Sequence, residues 1–227
     1  NLTAFFREPH HFEILFDFAK KMKQQRKPMR VWCAAASTGE EPYSIAMTLV
    51  EAYGTYEPPV EIVASDIDSN VLREGAAGIY SLQRLESVSL ERKKQFFQKG
   101  TGERAGKARV IPELTKLIDF RQVNLLNATW DLKPGFDVIF CRNVMIYFDV
   151  ETKKTILKRI RQCLQPQGFL FLGTAETTIN DLKAQGYDVA ISFSARSVEL
   201  AAGSKSPAIC SRTNWSNGLS ALNASIT

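Results

Sequence analysis

An alternation constrains this chain more than any other feature: short apolar runs suited to strands are separated by stretches whose apolar residues recur at helical spacing. Phe12, Leu15, Phe16, Ala19 and Met22 follow the helical period, Lys23 to Arg30 is polar, and Arg30-Val31-Trp32-Cys33 reads as a short strand. A helix is predicted from about Gly39 to Tyr53. Pro58-Pro59 then punctuates the chain before a second strand, Val60 to Ser65, which ends on Asp66. A helix from Ser69 to about Ala77 follows. Further on the pattern predicts strands at Leu117 to Val123, Phe136 to Cys141 and Phe169 to Leu172, with a helix from Glu151 to Leu164. Strands separated by helices imply a mostly parallel sheet covered on both faces, an α/β fold.

Residues 81 to 116 interrupt this rhythm. They hold a basic helix (Leu90 to Lys99), a turn rich in glycine (Gly100, Gly102, Gly106) and a strand at Arg109 to Ile111, and read as an insert. The 25 residues from Gly203 to Thr227 contain 11 Ser, Thr or Asn and only two charges, Lys205 and Arg212, so residues 203–227 are set outside the fold as a disordered tail. Residues 1–202 are then one domain carrying the small insert, which suits a chain of 227 residues that is 44% hydrophobic and 23% charged.

Several function classes lose support. The longest apolar runs stop far short of the roughly 20 residues that a bilayer-spanning helix needs. The sequence opens on Asn1-Leu2-Thr3-Ala4 with no basic-then-apolar leader, so a cytoplasmic location is expected. Cysteines stand at 33, 141, 163 and 210 without a Cys-x-x-Cys pair, and read as free thiols. The only histidines are the neighbours His10 and His11, which would point about 100° apart on a helix, so no metal site is expected. A net charge of +5 permits contact with nucleic acid without requiring it.

In an open parallel sheet a ligand lies beyond the carboxyl ends of the strands. After the first strand come Ala34-Ala35-Ala36-Ser37-Thr38-Gly39, six small residues that let backbone approach a ligand, although tight strand-to-helix packing explains such a turn equally well. Pro42 fits the first turn of a helix, which places Glu40 and Glu41 at the helix start, as caps or as ligand groups. Two carboxylates there would repel the pyrophosphate of a dinucleotide and favour the ammonium and sulfonium of S-adenosylmethionine. Asp66 suits ribose hydroxyls or a helix cap, a cap that Asp68 or Ser69 could equally supply. Asn124-Leu125 and Arg142-Asn143 end the next two strands, so polar groups converge on one edge.

Four segments resemble a known family: Asn1 to Glu8 (NLTAFFRE), Ala34 to Ser44 (AAASTGEEPYS), Ala64 to Asp68 (ASDID) and Phe140 to Phe148 (FCRNVMIYF). In family order, from residue 1 to about 175, they are similar to the bacterial chemotaxis receptor glutamate methyltransferases, the CheR family. The resemblance implies a Rossmann-like class I methyltransferase sheet with a small antiparallel β-subdomain, and S-adenosylmethionine as cofactor with S-adenosylhomocysteine as product. It places Asn1, Thr3, Arg7, Glu41, Asp66, Asn124, Leu125, Arg142 and Asn143 at the cofactor, and Arg7 and Tyr147 at the reacting centre. Gly100, Gly102, Gly106 and Arg109 match a G-x-G-x-x-x-G-x-x-R pattern with which some members grip a pentapeptide at the receptor's C-terminus. The resemblance further implies a monomer that joins membrane receptor arrays without inserting into the bilayer. Family members usually carry a helical domain ahead of the Asn-x-Thr-x-Phe-Phe-Arg motif, which here begins at residue 1.

The implied acceptor, a glutamate with a reference pKa of about 4.3, is ionised at neutral pH and requires no general base, which agrees with the scarcity of histidine. Three rival readings compete. A nucleic-acid methyltransferase would use Lys20 to Arg30 and Arg92 to Lys99 as a phosphate track, but no Asn/Asp-Pro-Pro-Tyr motif is present and no nucleic-acid partner is expected. The others are a module that binds S-adenosylmethionine or a receptor tail without catalysis, and a dehydrogenase.

Overall fold

The computed structural model describes residues 3–173 together with the backbone of three short strands, 189–191, 198–200 and 208–209. The chain divides into two compact units, residues 1–124 and 125–227. Each is built from parallel strands joined through helices, the α/β arrangement that the alternation predicts.

In the first unit, helix α1 (His10–Gln24) buries Phe12, Leu15, Ala19 and Met22 along one stripe, four of the five residues that the periodicity selects, while Phe16 is half-buried. Strand β1 (Met29–Cys33) is buried at every residue except Arg30, as expected of a strand covered on both faces. It leads through Gly39, in the left-handed conformation at φ 97°, into helix α2 (Glu40–Tyr53), which stops at Gly54, also left-handed at φ 66°. Strand β2 (Val60–Asp66) pairs in parallel with β1. Helix α3 (Ser69–Ala77) is capped by Asp68, whose carboxylate accepts from the Asn70 N–H at 2.7 Å, and closed by Gly78 at φ 62°.

The insert follows. Strands β3 (Ile79–Ser81), β4 (Phe97–Lys99) and β5 (Lys107–Val110) form an antiparallel sheet in the order β3, β5, β4, with helix α4 (Leu90–Phe96) between β3 and β4. The predicted basic helix therefore ends three residues early: Phe97–Lys99 is strand. Phe97 is β-favouring and buried, and pairing with Val110 outweighs continuation of a short helix. The short helix α5 (Pro112–Thr115) returns the chain to β6 (Ile118–Gln122), which pairs in parallel with β2.

In the second unit β7 (Phe136–Cys141) and β8 (Leu164–Leu172) pair in parallel, linked by helix α6 (Val150–Cys163). Strand β8 starts five residues before its predicted start at Phe169. Its polar opening, Gln165-Pro166-Gln167-Gly168, has the composition of a turn, and a register shift between Phe136 and Val138 accommodates it. Beyond residue 173 the backbone shows β9 (Val189–Ile191) antiparallel to β10 (Val198–Leu200), and β11 (Ala208–Ile209) parallel to β8 at Phe169 and Leu170. Two residues of the stretch set outside the fold by composition thus extend a sheet, since backbone pairing needs no apolar side-chain pattern. The rest of 203–227 lies outside the described residues.

The core of the first unit centres on Phe5, Trp32, Tyr43 and Phe96, that of the second on Phe136, Phe140 and Phe171. Two polar side chains of the first core find partners: the Trp32 indole N–H donates to Ser65 Oγ at 2.9 Å, and the Tyr43 hydroxyl donates to the Gly75 carbonyl at 2.7 Å. Burial raises the Tyr43 pKa well above the usual tyrosine value, so this donor keeps its proton. Replacing Trp32 by Phe leaves the buried Ser65 hydroxyl without this partner and should lower unfolding free energy by about 1–3 kcal/mol, read as a reduced urea midpoint at unchanged m.

Candidate functional site

The first unit brings the carboxyl ends of its parallel strands to one edge. Register places Cys33 beside Ala64 and Asp66 beside Gln122, and the Val123 N–H donates to the Asp66 carbonyl at 3.0 Å. Asp66 and half-buried Asn124 therefore sit at adjacent strand ends. The loop from Ala34 to Gly39 closes over this edge. The Ala36 N–H donates to the Ser65 carbonyl at 2.8 Å and the Ser37 N–H to Asp66 Oδ2 at 2.8 Å, while the Asp68 N–H donates to Asp66 Oδ1 at 3.1 Å. Asp66 is thus a loop organiser rather than the cap of α3, which Asp68 supplies. Each of its oxygens keeps lone-pair capacity beyond one backbone donor.

Ser37 adopts φ 48°, a left-handed conformation rare for a residue with a side chain. Two residues on, a Cβ at Gly39 would lie 2.7 Å from the Tyr80 hydroxyl and 2.9 Å from Gly75 Cα, so only glycine fits there. Close packing therefore requires the smallest residue of this loop at Gly39.

The two acidic residues after the loop part ways. Glu40 is 1% exposed and forms an ion pair with Arg84, while the Thr38 hydroxyl donates to Glu40 Oε2 at 2.9 Å. Glu41 is half-buried and accepts from the Cys33 thiol at 3.2 Å. The expectation that both carboxylates act on a cofactor by charge needs correction for Glu40, which the Arg84 guanidinium offsets, while Glu41 stays the cofactor candidate of the pair.

The N-terminal motif is anchored by its phenylalanines. Phe5 and Phe6 are buried, and the Phe6 N–H donates to Ser44 Oγ at 2.9 Å. Left-handed Phe6 (φ 53°) and Glu8 (φ 57°) flank Arg7, which is exposed, and Thr3 is half-buried. Asn1 lies outside the described residues. The neighbouring histidines do not diverge as the helical rule suggests. They occupy the first turn of α1 with ring centroids 4.2 Å apart, both buried, and His11 pairs with Glu8 at 3.6 Å. Ligand-capable atoms of Glu8, His10 and His11 lie within 4.8 Å of one another.

In the second unit Leu125 is buried, Arg142 is 3% exposed, and Asn143 is half-buried and left-handed at φ 57°. A Cβ at Gly173 would lie 2.7 Å from the Asn143 N, so the chain after β8 runs tightly against the turn after β7. Tyr147 closes a short 3-10 turn, Met145–Tyr147, and is 73% exposed, which excludes a role as a core aromatic. Asp149 caps α6 two residues later, and its bonds to Thr152 hold its carboxyl below the usual range.

On the insert, Gly102 (φ 57°) and Gly106 (φ 82°) are left-handed, and a Cβ at Gly100 would strike the Arg104 carbonyl. Arg109 is exposed at the centre of the antiparallel sheet, opposite Ile79 and Gln98. Sequence reading missed Tyr80 and Arg84, which reach back from the insert to the loop. No local pattern marks them, because their partners lie about 40 positions away.

The edge suits S-adenosylmethionine. It combines an acidic group at the end of β2, a loop of small residues, and a Ser37 hydroxyl that is buried and has no hydrogen-bond partner among the described residues. Asp66 and Glu41, with Ser37, would hold the cofactor from the first unit. Replacing Asp66 by Asn should weaken S-adenosylhomocysteine binding by about tenfold or more in calorimetry, since a charge-assisted acceptor is lost.

Comparison with known proteins accords with this reading. The chain is 56% identical over 180 residues to "Chemotaxis protein methyltransferase 2" of Pseudomonas aeruginosa, covering 79% of this chain and 64% of that protein. It is 48% identical to the "Chemotaxis protein methyltransferase" of Salmonella typhimurium over 180 residues, covering 79% and 62%. The protein of the same name from Escherichia coli is also 48% identical, over 176 residues, covering 78% and 60%. The chain thus spans less than two thirds of the length of these relatives. A family model described as "CheR methyltransferase, SAM binding domain" matches residues 1–190, and the chain accordingly belongs to the CheR methyltransferase family, through its domain for binding S-adenosylmethionine.

Proposed function

We propose that this chain is the catalytic part of a methyltransferase that converts glutamate side chains of membrane chemoreceptors into methyl esters. The carrying observation is the strand-end edge, where Asp66 accepts from the Ser37 N–H of a small-residue loop and the buried Ser37 hydroxyl has no hydrogen-bond partner among the described residues, in a chain whose family model is a domain for binding S-adenosylmethionine. When bound, the cofactor supplies an electrophilic methyl group on a sulfonium. The residues of this chain provide placement. A glutamate acceptor arrives already ionised, so alignment and exclusion of water matter more than proton removal.

Arg7 and Tyr147 are suited to the acceptor side because both are exposed, as contact with a macromolecular substrate requires. Arg7 would orient the acceptor carboxylate by charge-assisted hydrogen bonds, and Tyr147 would border the path of the methyl group. Thr3, Asn124, Leu125, Arg142 and Asn143, with Asn1, complete the assignment to the cofactor. On the insert, Gly100, Gly102 and Gly106 shape the turn, and Arg109 offers a cation for the carboxylate end of a receptor's C-terminal pentapeptide. In this reading the protein acts as a monomer in the cytoplasm and joins receptor arrays through that tail.

Transfer of radiolabelled methyl groups to receptor fragments, with and without their last five residues, tests the assignment. Label should appear as base-labile ester on glutamate, and absence of label on the intact fragment would overturn the proposal. Arg7→Ala should lower turnover by roughly a hundredfold through lost alignment, a far larger effect than its weakening of S-adenosylhomocysteine binding. Arg109→Ala should raise KM for the fragment bearing the tail and leave the shortened fragment unaffected.

A further inference from the structure

The left-handed Ser37 requires an explanation. A side-chain-bearing residue at φ 48° is strained relative to an ordinary conformation, and persists only where its surroundings over-determine it. From the side of the sheet, Asp66 holds the Ser37 N–H. From the opposite side the restraints come from the insert, more than 40 residues downstream.

Two side chains of the insert make three contacts with Thr38 and Glu40. The Tyr80 hydroxyl donates to the Thr38 carbonyl at 2.7 Å, the Arg84 guanidinium donates to the Thr38 hydroxyl, and the same guanidinium pairs with the Glu40 carboxylate. Arg84 also lies over the Tyr80 ring, 5.3 Å from its centroid, which ties the two restraints together. Tyr80 is 2% exposed, and burial, reinforced by the neighbouring Glu40, keeps its hydroxyl protonated and therefore a donor. Gly39, pressed against the same hydroxyl, leaves the loop no room to relax toward Tyr80.

The buried Glu40 makes the arrangement directional. Its carboxylate is almost fully withdrawn from water, so Arg84, itself 39% exposed, is its compensating charge among the described contacts. Loss of that compensation would drive Glu40 toward water and pull Thr38 and Ser37 with it. An Arg placed solely to steady the insert would not need to engage both Thr38 of the cofactor loop and Glu40 at the start of α2.

We infer that Arg84 and Tyr80 are positioning residues for the S-adenosylmethionine site: from the insert, they lock the Ser37–Glu40 loop in the strained conformation that presents Ser37 and Asp66 to the cofactor. The inference rests on the assignment of that loop to the cofactor, and extends it by making the insert part of the cofactor site as well as a docking element.

Calorimetry with S-adenosylhomocysteine on the full chain tests it. Tyr80→Phe keeps the ring packing and removes one donor, and Arg84→Lys keeps the charge and loses the planar fork. Each should weaken S-adenosylhomocysteine by about three- to tenfold, the range of one lost hydrogen bond, with the melting midpoint of the ligand-free protein near the parent value. Arg84→Ala should weaken it further than Arg84→Lys. Affinity unchanged in both conservative variants would overturn the inference, as would weakening that merely tracks a fall in the ligand-free melting midpoint. Parent protein that binds S-adenosylhomocysteine but labels no receptor fragment would sink the glutamate assignment and leave this inference standing on the affinity ratios.

Discussion

Helix α2 is buried on nearly its whole circumference, and the first unit is arranged around that constraint. A helix without a solvent face has no outlet for polar groups, so each must be matched internally. The Ser44 hydroxyl donates to the Glu40 carbonyl at 2.6 Å and accepts from the Phe6 N–H, and the Thr48 hydroxyl donates to the Ser44 carbonyl at 2.8 Å. Helix α2 thereby grips the N-terminal motif at one point and receives the cofactor loop at its start. Its burial is what turns Glu40 from a surface cap into a charge that needs a specific partner.

The insert supplies that partner and much else. Beyond Tyr80 and Arg84, the Ser87 hydroxyl donates to the Phe5 carbonyl at 3.0 Å, and Arg92 makes a bidentate bond to Glu51 of α2 while lying 4.0 Å from the Phe6 ring centroid. Phe5 meets Tyr80 and Phe97 edge-on, at 5.0 and 5.7 Å. The N-terminal motif carrying Arg7 is therefore held between α2 and a subdomain that composition marks as an interruption. A segment inserted between strands has become structural support for the segments on either side of it.

Much of the first unit is legible from local pattern because its helices and strands follow strong periodicities. The apolar residues of α1, the punctuation at Pro58-Pro59 and the proline in the first turn of α2 each speak for themselves within a few positions. Legibility fails where pairing rather than propensity decides. Phe97–Lys99 continues a helical composition but becomes strand through β5, the polar start of β8 looks like a turn, and Ala208–Ile209 joins β8 despite tail-like surroundings. Likewise Glu40 and Glu41 are equivalent as neighbours in sequence, and only their surroundings separate a compensated structural charge from a candidate ligand.

By itself the sequence determined the alternation of strands and helices, the small-residue loop, the acidic end of β2 and the family motifs, because each is encoded over a short span by residue type and spacing. Tertiary structure alone decided that Asp66 organises the loop while Asp68 caps the helix, that His10 and His11 draw together, and that Tyr80 and Arg84 belong with Thr38 and Glu40. Those outcomes depend on contacts between residues far apart in the chain and on burial, which sets whether a charge must find a partner. Neither quantity is a property of a local run of residues.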